Sequence, residues 1–444
     1  MKRFFYTLLL SACTASSLLA HALLVEGERP VSDLDTMPAN NVNDTLMIEQ
    51  NTEPFTTQVE PMSDEEQLFY DAEYNAKHFE PWMLSQLDLS EGEKTWQFKY
   101  AKQETYRRNG ERIPASWYEQ QIANSNFEAF NSVAQPGIVI HHTDMKLYPS
   151  DSEIYYDPRR VGEGFPFDYN QNSAVHINTP IFISHFSQDH AWAYVKTAYA
   201  FGWVSADDIA LVSSAFQSAF QNGKYAITIT DNLNIVEKKK TLSLVKMGTL
   251  FPIDYQKRYY LFAGKDKKGY AYLKYFRANK INLISKKPIK FNPKNIAFIS
   301  KQLVGEPYGW GGKLQSRDCS ALTRDFFAPF GIYLPRNSSQ QARESMGEYI
   351  SLAGLDQKTR KEMIVSHAKP FRSLLYVPGH IALYLGEKNG EPIILHNYWG
   401  VRLKSGDKYI MGRAIITTTH PGAERPDVRE PSMLSNTLRG VVNF

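Results

Sequence analysis

Residues 305–342 read GEPYGWGGKLQSRDCSALTRDFFAPFGIYLPRNSSQQA, and within them lies Cys319, one of only two cysteines in 444 residues. Asp318 is a good helix N-cap, and Ala321, Leu322, Phe326 and Phe327 behind it form an apolar helical stripe that Pro329 and Gly331 stop. Cys319 then falls in the first helical turn, where unpaired N–H groups and the positive end of the helix dipole favour a thiolate. The glycine-rich YGWGG before it lets backbone and aromatic side chains sit close to whatever occupies the site. A lone cysteine is more often a small buried apolar residue than a nucleophile, so the reading turns on finding a base held in orientation.

Eleven histidines compete for that role. The stretch PGHIALYLGEKNGEPIILHNYWG, residues 378–400, reads as a β-hairpin: His380 to Gly386, a turn around Asn389-Gly390, then Pro392 to Tyr398. Alternation puts His380, Ala382 and Tyr384 on one face and Ile381, Leu383 and Leu385 on the other. A strict two-residue loop separates His380 and His396 onto opposite faces, whereas an odd-length loop or a bulge brings them together. An odd loop is expected here, making them diagonal neighbours. His396 then holds one ring nitrogen of His380 and leaves the other toward Cys319, the nucleophile, base and orienter logic of catalytic triads.

Bulk composition bounds the rest. The length implies about three packed units, and 43% hydrophobic, 13% aromatic and 22% charged residues describe an ordinary globular chain. A net charge of +3 is too weak to argue for nucleic acid, and no nucleic-acid-binding motif occurs. Adjacent His141 and His142 point to opposite faces of a strand, and neither H-E-x-x-H nor paired C-x-x-C occurs, so no metal or other cofactor is expected. There is no G-x-S-x-G elbow. The basic clusters Lys238–Lys240 and Lys265–Lys268 read as solvated loops.

The N-terminus, MKRFFYTLLLSACTASSLLAHALLVEG, has a positive start, an apolar run and Ala20-His21-Ala22, which fits a cleaved secretory signal over residues 1–22. Export to the periplasm or cell envelope is expected. Leu10-Ser11-Ala12-Cys13 offers a second choice, a lipid anchor at Cys13, and either cleavage leaves Cys319 without a disulfide partner in the chain. Residues 23–62, rich in Asn, Asp, Pro, Thr and Glu, read as a low-order lead-in. Residues 63–133 read as a helical domain with Leu68, Phe69 and Ala72, then Tyr118, Ile122 and Phe127, at helix-like spacing. Two runs of short β-rich segments follow, 134–213 and 214–278, each with the texture of a small barrel. The last domain spans 279–420, with a helix from about Pro293, and 421–444 reads as a polar tail. The fold class expected is thus α+β and multidomain, as a monomer.

At this point the residues resemble known families. HAWAYVKTAYAFGWVSADDI, residues 190–209, and more faintly GTLFP, residues 248–252, are similar to bacterial SH3-like domains. GEPYGWGG, then RDCSALTRDFFAPFGIYLPRNSSQQ, then GHIALYLG resemble the NlpC/p60 cysteine peptidases, cell-wall hydrolases with a papain-like core. The resemblance covers about the last third of the chain. It implies Cys319 as nucleophile, His380 as general base and His396 as the third polar residue, with Tyr308 beside the nucleophile helping to bind the oxyanion along with the Cys319 N–H. Ala321 stands where the family often has glycine, a change that suits a helix. The resemblance also implies a substrate: the γ-D-glutamyl bond to a diamino acid, usually meso-diaminopimelate, in peptidoglycan stem peptides or muropeptides. Members with upstream SH3-like domains tend to require a free N-terminal L-Ala, for which Asp318 and Ser320 are the candidates here. Asp168 and Tyr169, in the loop 162–173, read equally well as an ordinary barrel loop and stay outside the candidate site. Two readings compete: a wall-binding or scaffolding protein with an inactive catalytic domain, and an amidase or acyltransferase on the same core.

Overall fold

The computed structural model describes residues 22–254, 259–278, 283–343 and 347–444. It is a mixture of helices and sheets, 29% helical and 31% strand, in several domains. The expected signal segment lies outside the described residues apart from Ala22. Among the described residues, no helix is long and apolar enough to cross a membrane.

The first barrel is a seven-stranded antiparallel sheet running from Gln171–Val175 at one edge, through Thr143–Lys146, Phe201–Ser205, Trp192–Lys196, Pro180–Phe186 and Gln135–Val139, to Ile209–Leu211. Alternation sends Ala193 and Val195 into its core with Val139, Val175 and Ile181. The same alternation turns Trp192 and Tyr194 outward against Leu84, Leu87, Leu89, Phe127 and Phe130 of the N-terminal arm.

The second barrel corrects two boundaries. Its eight-stranded sheet takes in Ile284–Lys286 at one edge and, near the other, Ala22–Glu26, which pairs antiparallel with Leu233–Glu237 and parallel with Ala271–Ala278. The stretch read as a low-order lead-in is therefore built into the fold. Beyond the strand, Ile48, Phe55, Val59 and Met62 are buried in the core of the last domain. The segment's buried apolar residues are scattered singly among polar ones, so no periodicity reveals it.

The arm helix Asp64–Phe79 starts at Ser63, whose side chain caps it by accepting the Glu66 N–H. Its buried face is Gln67, Tyr70, Asp71 and Tyr74, while Leu68 and Phe69, expected inside, are each 61% exposed. Polar groups win that face because the last domain offers backbone partners: Gln67 donates to the carbonyls of Ile289 and Phe330, and Asp71 pairs with buried Lys287.

The last domain packs the helices Pro293–Ser300 and Cys319–Phe327 on a six-stranded sheet ordered Glu348–Ser351, Gly440–Asn443, Ser373–Val377, His380–Lys388, Glu391–Arg402, Lys408–Thr417. The expected polar tail is thus an interior strand, with Val441 and Val442 fully buried and Val442 in register with Leu374. Four residues suffice for a strand that two neighbours already template, too short a run to stand out in sequence.

Candidate active site

Asp318 adopts an extended backbone at the N-cap of helix Cys319–Phe327 and accepts the Ala321 N–H at 2.8 Å. The same carboxylate accepts the Gly311 N–H at 3.1 Å, the Ser320 hydroxyl at 3.1 Å and a fork from Arg336 at 2.7 and 3.1 Å. Arg336 also donates to Ser320 Oγ at 2.9 Å and, across the domain boundary, to Ser173 Oγ of the first barrel at 2.9 Å. These charge-assisted bonds hold the Asp318 carboxyl below the usual range despite burial, with Arg336 the main cause.

What occupies the glycine-rich turn is the barrel. Gly311 and Gly312 have φ of +62° and +84°, and a Cβ on either would lie within 2.9 Å of Gln171 or Ala174 in the edge strand Gln171–Val175. The Gln171 side chain donates to the Gly311 carbonyl at 3.2 Å. Lys313 beyond the turn is buried against Asp168 and Glu153 of the barrel, so Asp168 is a structural clamp and not a free group. Gly312→Ala combines a left-handed backbone with a contact of 2.6 Å to Ala174. It is expected to cost about 2 kcal/mol or more, read as a lowered midpoint in urea unfolding.

The hairpin carries the histidines. Its loop is the strict two residues, Asn389-Gly390, with Lys388 opposite Glu391, which corrects the expected odd loop. A bulge at Leu385 shifts the register instead, so Leu383 faces Leu395, and His380 and His396 share a face after all. The bulge is tolerated at Gly386, φ +133°, where a Cβ would strike Gln58 of the N-terminal segment. His380 Nε2 and His396 Nδ1 lie 2.8 Å apart, and the Tyr398 ring stacks on His396 at 4.7 Å. Ile381, the residue after His380, shares the domain core with Cys319, and its backbone amide works to lower the thiol. The helix that begins at Cys319 packs on the strand that begins at His380, and among the described residues no hydrogen bond joins the thiol to the His380 ring.

The electrostatics overturn the expected resting thiolate. Burial, then the Asp318 carboxylate, push the Cys319 thiol up to about 12, outweighing the Ile381 and Ser320 amides and Arg336. Burial, then Lys408, lower His380 to about 4, with Asp318 opposing. Burial and His380 hold His396 well below the usual range. The resting pair is a neutral thiol and a neutral imidazole. Tyr308 is buried, and desolvation with Cys319 and Asp318 nearby keeps its phenol protonated, a hydrogen-bond donor.

Cys319, Tyr308, Asp318 and Ser320 border one cavity of about 1010 Å³. Its other walls come from the first barrel, including Tyr169 and Lys196, and from the arm, which contributes Glu73, Glu80, Asp88 and Glu93. Of the residues singled out in sequence, Cys319, Tyr308, Asp318 and Ser320 line this cavity and His380 and His396 pair with each other outside its lining, while Arg336, Ser173 and the arm wall went unrecognised. Only the Leu-Pro-Arg run hinted at the first of these; nothing local marks the others. Among the described residues there is no group of three or more His, Cys, Asp or Glu that could hold a metal ion.

Residues 305–417 match the model of the NlpC/P60 family, residues 4–130 that of the NLPC_P60 stabilising domain, N term, and residues 153–205 that of an SH3 domain of SH3b1 type. No curated protein sequence matches the chain. Among solved structures, a novel NlpC/P60 endopeptidase from Photobacterium damselae subsp. piscicida is 23% identical over 92% of this chain and 98% of its own, with a TM-score of 0.78, and shares the fold. An NlpC/P60 family protein from Bacillus cereus is 11% identical, over 69% of this chain and 98% of its own, at a TM-score of 0.43. NlpC2 from Trichomonas vaginalis is 12% identical, over 64% and 96%, at 0.25.

Proposed function

Given that residues 305–417 belong to the NlpC/P60 family of cysteine peptidases, behind a stabilising domain and an SH3b domain, we propose that this peptidoglycan hydrolase cuts the γ-D-Glu to diamino acid bond of stem peptides. Its preferred substrates are small released peptides with a free N-terminal L-Ala, and it works as a monomer in the periplasm or cell envelope, where they arise. The observations that carry the reading are the buried Cys319 at the wall of a cavity lined by three domains and the His396–His380 pair on the strand whose preceding residue, Gly379, lines that same cavity.

As substrate docks, the Cys319 thiol passes its proton to His380 and the sulfur attacks the γ-carbonyl carbon of D-Glu. The Cys319 N–H and the Tyr308 hydroxyl receive the oxyanion. The His380 imidazolium, steadied by His396, then protonates the leaving amine of the diamino acid. Water, deprotonated by His380, hydrolyses the thioester and restores the thiol. The L-Ala ammonium sits against Ser320 and shares the Asp318 carboxylate with Arg336. Walls contributed by arm and barrel leave room for a peptide and exclude cross-linked polymer.

Mass spectrometry of L-Ala-γ-D-Glu-meso-diaminopimelate, free or N-acetylated, and of intact sacculi tests this. Diaminopimelate is expected from the free peptide alone, with sacculi left insoluble. Survival of both peptides would sink the peptidase reading; cleavage of both would remove only the amine requirement; efficient solubilisation of sacculi would remove the size restriction.

A further inference from the structure

Thr417 ends the strand Lys408–Thr417 and is fully buried. Its Oγ1 lies 2.7 Å from the Thr418 carbonyl oxygen and 3.1 Å from His396 Nε2. A carbonyl oxygen can only accept, so the hydroxyl proton is directed to Thr418, and the oxygen meets His396 with a lone pair alone. His396 Nε2 must therefore carry a proton. Since His396 is neutral, its Nδ1 is bare, and across the 2.8 Å contact His380 Nε2 is the donor. His380, also neutral, is left with a bare Nδ1, the one ring atom that can take a proton from the thiol.

We propose that Thr417 is a positioning residue that fixes the tautomers of both histidines and so makes Nδ1 of His380 the base. It acts two residues removed from the sulfur and touches neither substrate nor nucleophile. The inference rests on the reading of Cys319 and His380 as nucleophile and base. The hydroxyl direction is what gives the chain its polarity: Thr418 C=O accepts from Thr417, which accepts from His396, which accepts from His380. Reversing one link reverses the rest. Without the hydroxyl, the His396 Nε2–H has no partner in a buried site. The ring then gains by carrying its proton on Nδ1, toward a bare His380 Nε2. His380 in that state holds its proton on Nδ1 and can accept nothing from Cys319. A histidine generally takes its tautomer from the hydrogen bond its second nitrogen makes, and for metal-bound histidines loss of that partner costs about 10- to 100-fold, the scale taken here.

The full chain carrying Thr417→Val, which keeps the shape, and Thr417→Ser, which keeps the hydroxyl, tests this with two readouts that need no substrate. Long-range ¹H–¹⁵N NMR at neutral pH reports which ring nitrogens carry protons. The rate of Cys319 alkylation by iodoacetamide reports proton acceptance from the thiol. Wild type and Thr417→Ser are expected to show both rings protonated on Nε2. Thr417→Val is expected to show protonated Nδ1 and alkylation slowed about 10- to 100-fold, with kcat on the tripeptide falling alike and KM unchanged. Unaltered tautomers in Thr417→Val, or a serine variant as slow as the valine one, overturns the proposal. If the tautomers behave as stated but the tripeptide is never cleaved, the positioning role stands and the peptidase reading fails.

Discussion

Cys319→Ala is expected to lower kcat on L-Ala-γ-D-Glu-meso-diaminopimelate by about 10⁶-fold, as loss of a nucleophile does in enzymes whose catalytic groups act as a unit. The peptide should still bind, because Tyr308, Asp318, Ser320 and Arg336 are untouched and the side chain removed is small. Isothermal titration of the variant with the peptide separates the two effects. The charge states add a second signature. A neutral pair with His380 held at about 4 and the thiol near 12 predicts kcat/KM that is flat through neutrality. Activity should persist as pH falls below the ordinary histidine value of 6.5 and be lost only as His380 protonates near 4. A resting thiolate–imidazolium pair predicts the reverse order of titrations and a thiolate absorbance near neutral pH. Activity surviving in Cys319→Ala would remove the nucleophile, whereas a thiolate band in wild type would remove only the neutral resting state.

The largest stability effect is expected two residues before Cys319, at Arg317. This side chain is 2% exposed and donates to Asp325 at 2.7 Å, to Glu306 at 2.7 Å and, as a fork, to Asp231 at 2.8 and 2.9 Å. Lys246 reaches the same Asp231 at 2.8 Å, and Arg324 the same Asp325 at 2.9 Å. Asp231 and Lys246 belong to the second barrel, the others to the last domain, so the cluster seals the boundary between them. Three cations there balance three carboxylates. Arg317→Met removes one cation and leaves an uncompensated buried charge, which costs about 3–5 kcal/mol when one partner of such a set is deleted. A fall of about 10 °C in thermal midpoint is expected. The sign with pH follows: Arg317 holds Asp231 well below the usual range and helps Arg324 do the same for Asp325. In the variant these carboxyls take up protons at higher pH, so its deficit should narrow as pH falls toward 5. A loss under about 1 kcal/mol would mean that the cluster is far more hydrated than its burial indicates.

Much of this site is legible locally. Asp318 at a cap position, the apolar stripe after Cys319 and the period-two hairpin each obey short-range rules, and the structure keeps all three. Even the sharing of a face by His380 and His396 was a matter of parity, decided between two possibilities. The device that decides it, a bulge at Leu385, depends on Gly386 lying against Gln58, more than 300 residues away in sequence. The charge of the thiol was misread for a related reason. Helix position is written in the sequence, but the burial that dominates the thiol comes from the packed domain, and it outweighs the opposing effect of Arg336.

By itself, then, the sequence determined the helix that carries Cys319, the hairpin that carries the two histidines, the glycine turn and the first barrel, because each depends on neighbours within a few residues or one strand's alternation. Tertiary structure alone decided that residues 22–26 and 440–443 are strands, since a short polar-flanked run gains its hydrogen bonds only from partners already in place. It also decided that the glycine turn receives the barrel, that arm and barrel wall the cavity, and that Thr417 orders the protons of the histidine pair. Those are contacts between elements far apart in the chain, and their energies exist only once the elements have met.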